Sequence, residues 1–213
     1  MQIATSSYME QVAQWPESGR VILAQFDDDS IIVYQAYCPA IGHFAARNGY
    51  FGGQFKQTRM TWIKPNFLWM MYRSNWGTSA GQEVVLAIRL RRAAFEEILR
   101  SAVHSSFVEP VYETEAAWRQ ALDDSKIRLQ WDPDHDPNGE PVSRRAIQLG
   151  IGGSATASYA RDWVLGIEDI SGFVANQREH VLAGRLDLLQ TPSERVYPLD
   201  DDLRRHLHCD FRG

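Results

Sequence analysis

Residues 54–76 read Gln-Phe-Lys-Gln-Thr-Arg-Met-Thr-Trp-Ile-Lys-Pro-Asn-Phe-Leu-Trp-Met-Met-Tyr-Arg-Ser-Asn-Trp. Within this run Arg59, Lys64 and Arg73 stand among Trp62, Trp69, Tyr72 and Trp76. A guanidinium engages phosphate through two parallel hydrogen bonds, and an aromatic face stacks on a base. The mixture predicts a site for a nucleotide or a single-stranded nucleic acid. Read for packing instead, the run predicts a buried Met/Trp helix, because Trp69, Met70 and Met71 are core residue types. Its arginine then pairs with Glu83 or with a helix end. Both readings stand at this point.

The segment 31–37 (IIVYQAY) adds polar candidates. Strand alternation places Ile32, Tyr34 and Ala36 on one face and Ile31, Val33, Gln35 and Tyr37 on the other. A glutamine among apolar strand neighbours needs a hydrogen-bond partner, either a ligand or a nearby protein group. Side chains near the end of a strand that leads into a helix often line a cleft.

Three other motifs carry less. Asp132, Asp134, Asp136 and Asn138 alternate as calcium ligands do, but the loop has Pro137 where a calcium loop needs Gly and Ser143 where it needs Glu, so a solvated turn is the better reading. Gly150-Ile151-Gly152-Gly153-Ser154-Ala155 fits GxGxxA formally, yet it lies late and outside any βαβ repeat, which favours a glycine-rich strand exit. His206, His208 and Cys209 crowd together without a distant partner pair, so no metal site is expected. The sequence has no GxSxG, HExxH, CxxC or Walker A pattern.

The elements that must position these residues follow from periodicity and punctuation. Strands are predicted over 21–26, 31–37, 60–64, 83–90, 126–131 and 144–151. Residues 21–26 and 31–37 flank the turn Asp27-Asp28-Asp29-Ser30 and suggest a hairpin. Pro39 opens a helix that Gly49 stops. Pro65 precedes a buried helix ending near Asn75-Trp76-Gly77, and residues 78–82 form a loop. An amphipathic helix spans 93–103, with Phe95, Ile98, Leu99 and Ala102 on one face. Thr114 caps a helix through Leu122. Residues 132–143 read as a loop, 155–185 as mostly helical with a break near 169–172, and the tail beyond Pro192 as irregular. Strands and helices mix without βαβ regularity, so the expected fold is α+β: one domain over 1–213, with a mixed or mostly antiparallel sheet flanked by helices.

With 213 residues, 44% of them hydrophobic, the chain can bury a core without disulfides or metals. Cys38 and Cys209 suggest no disulfide framework, and no signal segment or apolar span is apparent, which predicts a cytoplasmic protein away from membranes. The net charge of −5 argues against bulk nucleic-acid binding. The charge is uneven, however. From Lys56 to Arg92 seven basic residues face one acid, Glu83, which predicts a local anion site.

The runs DDDSIIVYQAYCPAI, RMTWIKPNFLWMMYRSNWGT, GQEVVLAIRL and RRAIQLGI resemble the bacterial and fungal family called domain of unknown function 4291, over most of residues 20–200. That leaves 1–19 and 201–213 peripheral. The family commonly has Arg before the Ala of the first strand, where this chain has Leu23. The order of VYQAY, a helix to Gly49 and MYRS is also similar to ADP-ribosyltransferases, particularly those acting on nucleic-acid bases.

That second resemblance implies an ADP-ribosyltransferase-like fold and an enzyme binding NAD, with nucleic acid or another acceptor as substrate. Gln35 and Tyr34 would then hold the nicotinamide ribose, and Arg73 and Arg59 the pyrophosphate. Tyr72 or Trp76 would stack on nicotinamide. Glu83 would orient the ribose 2′-OH or stabilise the oxocarbenium-like transition state. Tyr37, Trp62, Lys64, Ser74 and Gln148 complete the expected cofactor-binding set. Gln148 is placed where the family's catalytic Glu would stand, and would be a poor general base there. Two alternatives remain: a non-catalytic nucleotide or single-stranded RNA binding module, and a structural or partner-binding protein whose aromatic block is core.

Overall fold

The computed structural model describes residues 3–211. In chain order the first elements are β1 (Thr5–Ser7), α1 (Tyr8–Val12), β2 (Gly19–Arg20), β3 (Leu23–Ala24), β4 (Ser30–Tyr37) and α2 (Pro39–Asn48). They are followed by β5 (Thr61–Ile63), α3 (Phe67–Ser74), β6 (Val84–Arg91), α4 (Arg92–Ser101), β7 (Ala102–His104) and α5 (Glu115–Asp124). The last part holds β8 (Ile127–His135), β9 (Pro141–Ile151), α6 (Ala155–Arg161), β10 (Val164–Asp169), α7 (Ser171–Leu182), β11 (Gln190–Pro192), β12 (Arg195–Val196) and α8 (Asp201–His206). The class is α+β with mostly antiparallel pairing.

Two sheets organise the molecule. One is antiparallel in the order β10-β6-β4. The other runs β2-β9-β8-β7, with β5 also paired to β9. A single bridge joins them: Tyr34 N–H donates to Lys64 O at 2.7 Å, and Lys64 N–H to Tyr34 O at 3.2 Å.

The sequence IIVY in β4 is continuously apolar because both faces are covered. Ile31 and Val33 enter a core shared with Phe95 and Leu99 of α4, Tyr159 of α6 and Leu149 of β9. Ile32 and Tyr34 enter a second core with Tyr8 of α1, Phe67 and Met70 of α3 and Val174 of α7. Each such side chain contributes about 1.5–3 kcal/mol by leaving water. The predicted alternation along 31–37 is thus the one observed.

Local chemistry explains the helices nearest the cleft described below. Pro39 sits in the first turn of α2, where its missing N–H leaves no bond unmade, and Gly49 ends the helix at φ 72°. Asn66 caps α3, its Oδ1 accepting from Trp69 N–H at 2.7 Å. Asn75 and Trp76 then turn the chain with φ of 48° and 54°. Trp76 is held there by burial and by donating its indole N–H to Pro137 O at 3.2 Å.

Four readings need correction. Residues 155–185 are interrupted by β10, which pairs with β6 and buries Ile167. The tail beyond Pro192 is ordered: β12 pairs with β3, and Asp200 caps α8 through Leu203 N–H at 2.7 Å. The predicted 132–143 loop shrinks to residues 136–140, because β8 continues to His135 past a register shift after Pro133. The hairpin around Asp27 is only partly formed, through the Phe26–Ile31 bridge, since Leu23–Ala24 pairs with Arg195–Val196 instead.

Candidate functional site

Where β4 ends and β5 crosses it, the 52–60 loop folds over to form a cleft of about 600 Å³. Gln35 and Tyr37 come from β4, Thr61 and Trp62 from β5, and Gly81–Gln82 from the loop before β6. Lys56 and Arg59 stand exposed in the covering loop, and Lys64 is buried, 7% exposed. Among the described residues no acid lines this cleft.

Gln35 fixes the wall. Its Nε2 donates to Thr61 Oγ1 at 2.7 Å and to Trp62 O at 3.0 Å, and its Oε1 accepts from Tyr159 Oη at 2.5 Å. Tyr37 Oη lies 2.7 Å from Thr61 Oγ1, and burial pushes its phenol pKa up. Both amide protons of Gln35 are used within the protein. The residue therefore holds the two sheets and the cleft wall together, whatever the ligand.

Lys64 is the unusual cation. It makes no side-chain hydrogen bond or ion pair among the described residues. Burial, and next the charge of Arg73, bring its pKa down from 10.5 to about 8, against an opposing pull from Asp132. Asp132 is itself clamped: Gln130 Nε2 donates to its Oδ1 and Gln148 Nε2 to its Oδ2, both at 2.7 Å. Gln130 and Gln148 are directly opposite on β8 and β9.

The predicted site residues divide accordingly. Gln35, Tyr37, Arg59, Trp62 and Lys64 line one cleft. Arg73 is exposed on α3 and close enough to Lys64 for its charge to be felt. Tyr34 is fully buried in the second core, its ring edge-on to Phe67 at 5.5 Å. Ser74 is buried and donates to Met70 O at 2.9 Å. Trp76 packs on Phe67. Tyr72 is 44% exposed and stacks on His135 with centroids 3.5 Å apart. Gln148 serves Asp132 rather than the cleft lining.

Glu83 lies beyond the Gly81–Gln82 wall. Its Oε1 accepts from Gly81 N–H at 2.8 Å, and that bond holds its carboxyl below the usual range. Its side belongs to a smaller neighbouring cavity of about 250 Å³, shared with Trp76, Ser171 and Arg178.

Lys56, Phe55 and Thr61 were not singled out by sequence, although Lys56 was counted in the basic stretch. The folding of the 52–60 loop over β5 brings in Phe55 and Lys56, and the pairing of β5 with β9 places Thr61. The glycine run has a packing role. A Cβ on Gly150 would meet Met60 Sδ at 2.6 Å and the Trp62 ring at 3.0 Å, and one on Gly152 would meet Met60 Cε at 3.1 Å. The glycines are the floor under Met60 and Trp62. Among the described residues no group of three or more His, Cys, Asp or Glu is placed to hold a metal ion. No helix of the described residues is long and apolar enough to cross a membrane.

A model of the protein family described as domain of unknown function (DUF4291) matches residues 21–197, which includes every residue lining the cleft. No curated protein matches the chain.

Proposed function

The chain belongs to the domain of unknown function (DUF4291) family, and we propose that the cleft between β4, β5 and the 52–60 loop binds a nucleotide, with NAD as the ligand to test first. The observation that carries this is the lining: Lys56, Arg59 and Lys64, with no carboxylate among the described residues, beside the half-buried Trp62. Cations in a lining that holds no acid attract phosphate, and low-dielectric walls strengthen the attraction. Arg59 and Lys56 meet the phosphates at the rim. Trp62 offers its face to a base or a nicotinamide. A volume of about 600 Å³ is in the range of small-molecule and cofactor clefts.

A second reading adds ADP-ribosyl transfer. It is favoured by one feature, the carboxylate of Glu83 hydrogen-bonded to Gly81 in the segment that walls the cleft. A ligand that shifts the 78–83 segment would bring an ionised acid to the rim, where it stabilises positive charge developing on a ribose.

Calorimetric titration of the full chain with NAD, ADP and ATP tests the first reading. Binding to the wild type should weaken about tenfold to a hundredfold in Arg59→Ala, the range for one charge-assisted hydrogen bond. It should also fall steeply with added salt. No heat with any of the three ligands would refute the reading.

A further inference from the structure

The chain has nineteen arginines and three lysines, Lys56, Lys64 and Lys126. Two of the three line the same cleft. Arginine is the better phosphate ligand, so phosphate binding alone does not call for an amine at a buried position. An amine has one capacity that a guanidinium lacks: it adds to a carbonyl carbon and forms an imine.

Lys64 is built for that chemistry in three respects. Its backbone is pinned on both sides, by β5 pairing before it and by the two hydrogen bonds to Tyr34, so the root of the side chain is fixed. The residue is among those lining the cleft and is 7% exposed, and among the described residues no hydrogen bond or ion pair holds its ammonium. The nearby acid whose charge it feels, Asp132, has both carboxylate oxygens engaged by Gln130 and Gln148. Burial and the charge of Arg73 favour loss of the proton and outweigh the opposing pull of Asp132.

We propose that Lys64 is a nucleophilic amine and that the cleft takes a phosphorylated aldehyde or ketone, bound covalently as an imine at Lys64 Nζ. The proposal shares the phosphate-binding part of the reading above and does not need NAD. In the first step the lone pair of neutral Nζ forms the N–C bond, and the carbonyl π pair moves to oxygen, which takes up the proton that the nitrogen releases. In the second step the resulting hydroxyl leaves as water with the remaining nitrogen proton, giving C=N. One amine and one carbonyl become one imine and one water, with no oxidant or reductant. Arg59 and Lys56 hold the phosphate, and Trp62 faces a planar substituent.

Pyridoxal 5′-phosphate is the probe, since it joins a phosphate, a planar ring and an aldehyde. The full chain is incubated with it near neutral pH, reduced with borohydride and mapped by peptide mass. Reduced label is expected at Lys64, faster than at Lys126, and slower by roughly tenfold when pyridoxal without its phosphate is used. Lys64→Arg should abolish that label and leave Lys126 unchanged. Label at Lys64 no faster than at Lys126 would overturn the proposal. Should Lys64→Arg fail to fold, Arg59→Ala decides: slower labelling of Lys64 supports the proposal, and an unchanged rate overturns it. The two readings separate cleanly. Labelling of Lys64 in a chain that binds no NAD leaves this proposal standing and removes NAD. NAD binding with Lys64 unlabelled removes this proposal alone.

Discussion

Tyr159 Oη donates to Gln35 Oε1 at 2.5 Å, tying the helix after β9 to the strand that walls the cleft. Both residues are buried, and Gln35 spends its two amide protons on Thr61 and Trp62. Tyr159→Phe removes one donor and leaves the Gln35 carbonyl without a partner. Stability should fall by about 1–3 kcal/mol in urea titration, because a buried polar group is left unsatisfied. Ligand affinity should fall with it, since Gln35 also orients Thr61 and the Trp62 backbone. A stability loss with unchanged affinity would separate the network from the cleft.

Lys64 carries a different balance. Its pKa of about 8 in the folded chain lies below the ordinary 10.5. Below pH 8 both folded and unfolded chains hold the proton, and burial of the charge weighs fully against folding. Between pH 8 and 10.5 the folded chain gives up the proton while the unfolded chain keeps it, so stability rises with pH across that window. The shift corresponds to roughly 3 kcal/mol. Lys64→Met should therefore be more stable than wild type at pH 7, by an amount that shrinks toward pH 10, and should bind nucleotide more weakly. A destabilised Lys64→Met at pH 7 would mean that the ammonium has a partner in solution.

Gly150 offers a test of the cleft that leaves every charge in place. Its missing side chain is where Met60 Sδ and the Trp62 ring sit, at 2.6 and 3.0 Å from the position of an added Cβ. Gly150→Ala lifts both residues from the β9 backbone and tilts the Trp62 face. Nucleotide affinity should drop several-fold, with a loss of stability of about 1–3 kcal/mol from overpacking. Tryptophan fluorescence on ligand addition would follow the change directly, and an unaltered affinity would show that Trp62 does not contact ligand.

The ion pair of Asp134 and Arg144 is buried at 2% and 7% side-chain exposure. Arg144 also donates to Pro16 O at 2.8 Å and lies over the Trp15 ring, so it fastens the N-terminal segment to β9. Arg144→Met strands the Asp134 carboxylate, whose pKa burial already pushes up. The expected loss is about 3–5 kcal/mol. The double variant Arg144→Met with Asp134→Leu should recover much of it. Failure of that recovery would assign the loss to the Pro16 and Trp15 contacts.

The sequence was most legible where local signals agree with packing. Pro39 and Gly49 bracket α2, and alternation along β4 sorts Ile31 and Val33 from Ile32 and Tyr34. It was least legible where a partner distant in sequence decides. Val164–Asp169 is a strand only because β6 lies beside it, and 190–196 pairs with residues at the other end of the chain. The cleft shows the same division. Arg59, Trp62 and Lys64 were visible as rare residue types close together. That no acid among the described residues joins them in the lining depends on the 52–60 loop crossing β5, which no periodicity encodes. Tyr34 and Trp76 are buried, and aromatic character alone does not distinguish a core face from a cleft face.

Glu83 separates binding from turnover. Its carboxylate accepts from Gly81 N–H and borders the cavity next to the cleft, so it touches none of the cations proposed to hold phosphate. Glu83→Gln keeps a hydrogen-bond acceptor at the same position and removes the negative charge. Folding stability should stay close to that of wild type, as for surface substitutions away from special features. NAD affinity should also stay unchanged, because the side chain lies outside the lining. If ADP-ribosyl transfer is the chemistry, release of nicotinamide should fall at least about tenfold, since an electrostatic stabiliser acts on the transition state and not on the bound ground state. If release in wild type is measurable and Glu83→Gln leaves it unaltered, Glu83 has no part in the reaction. The 78–83 segment then only walls the cleft.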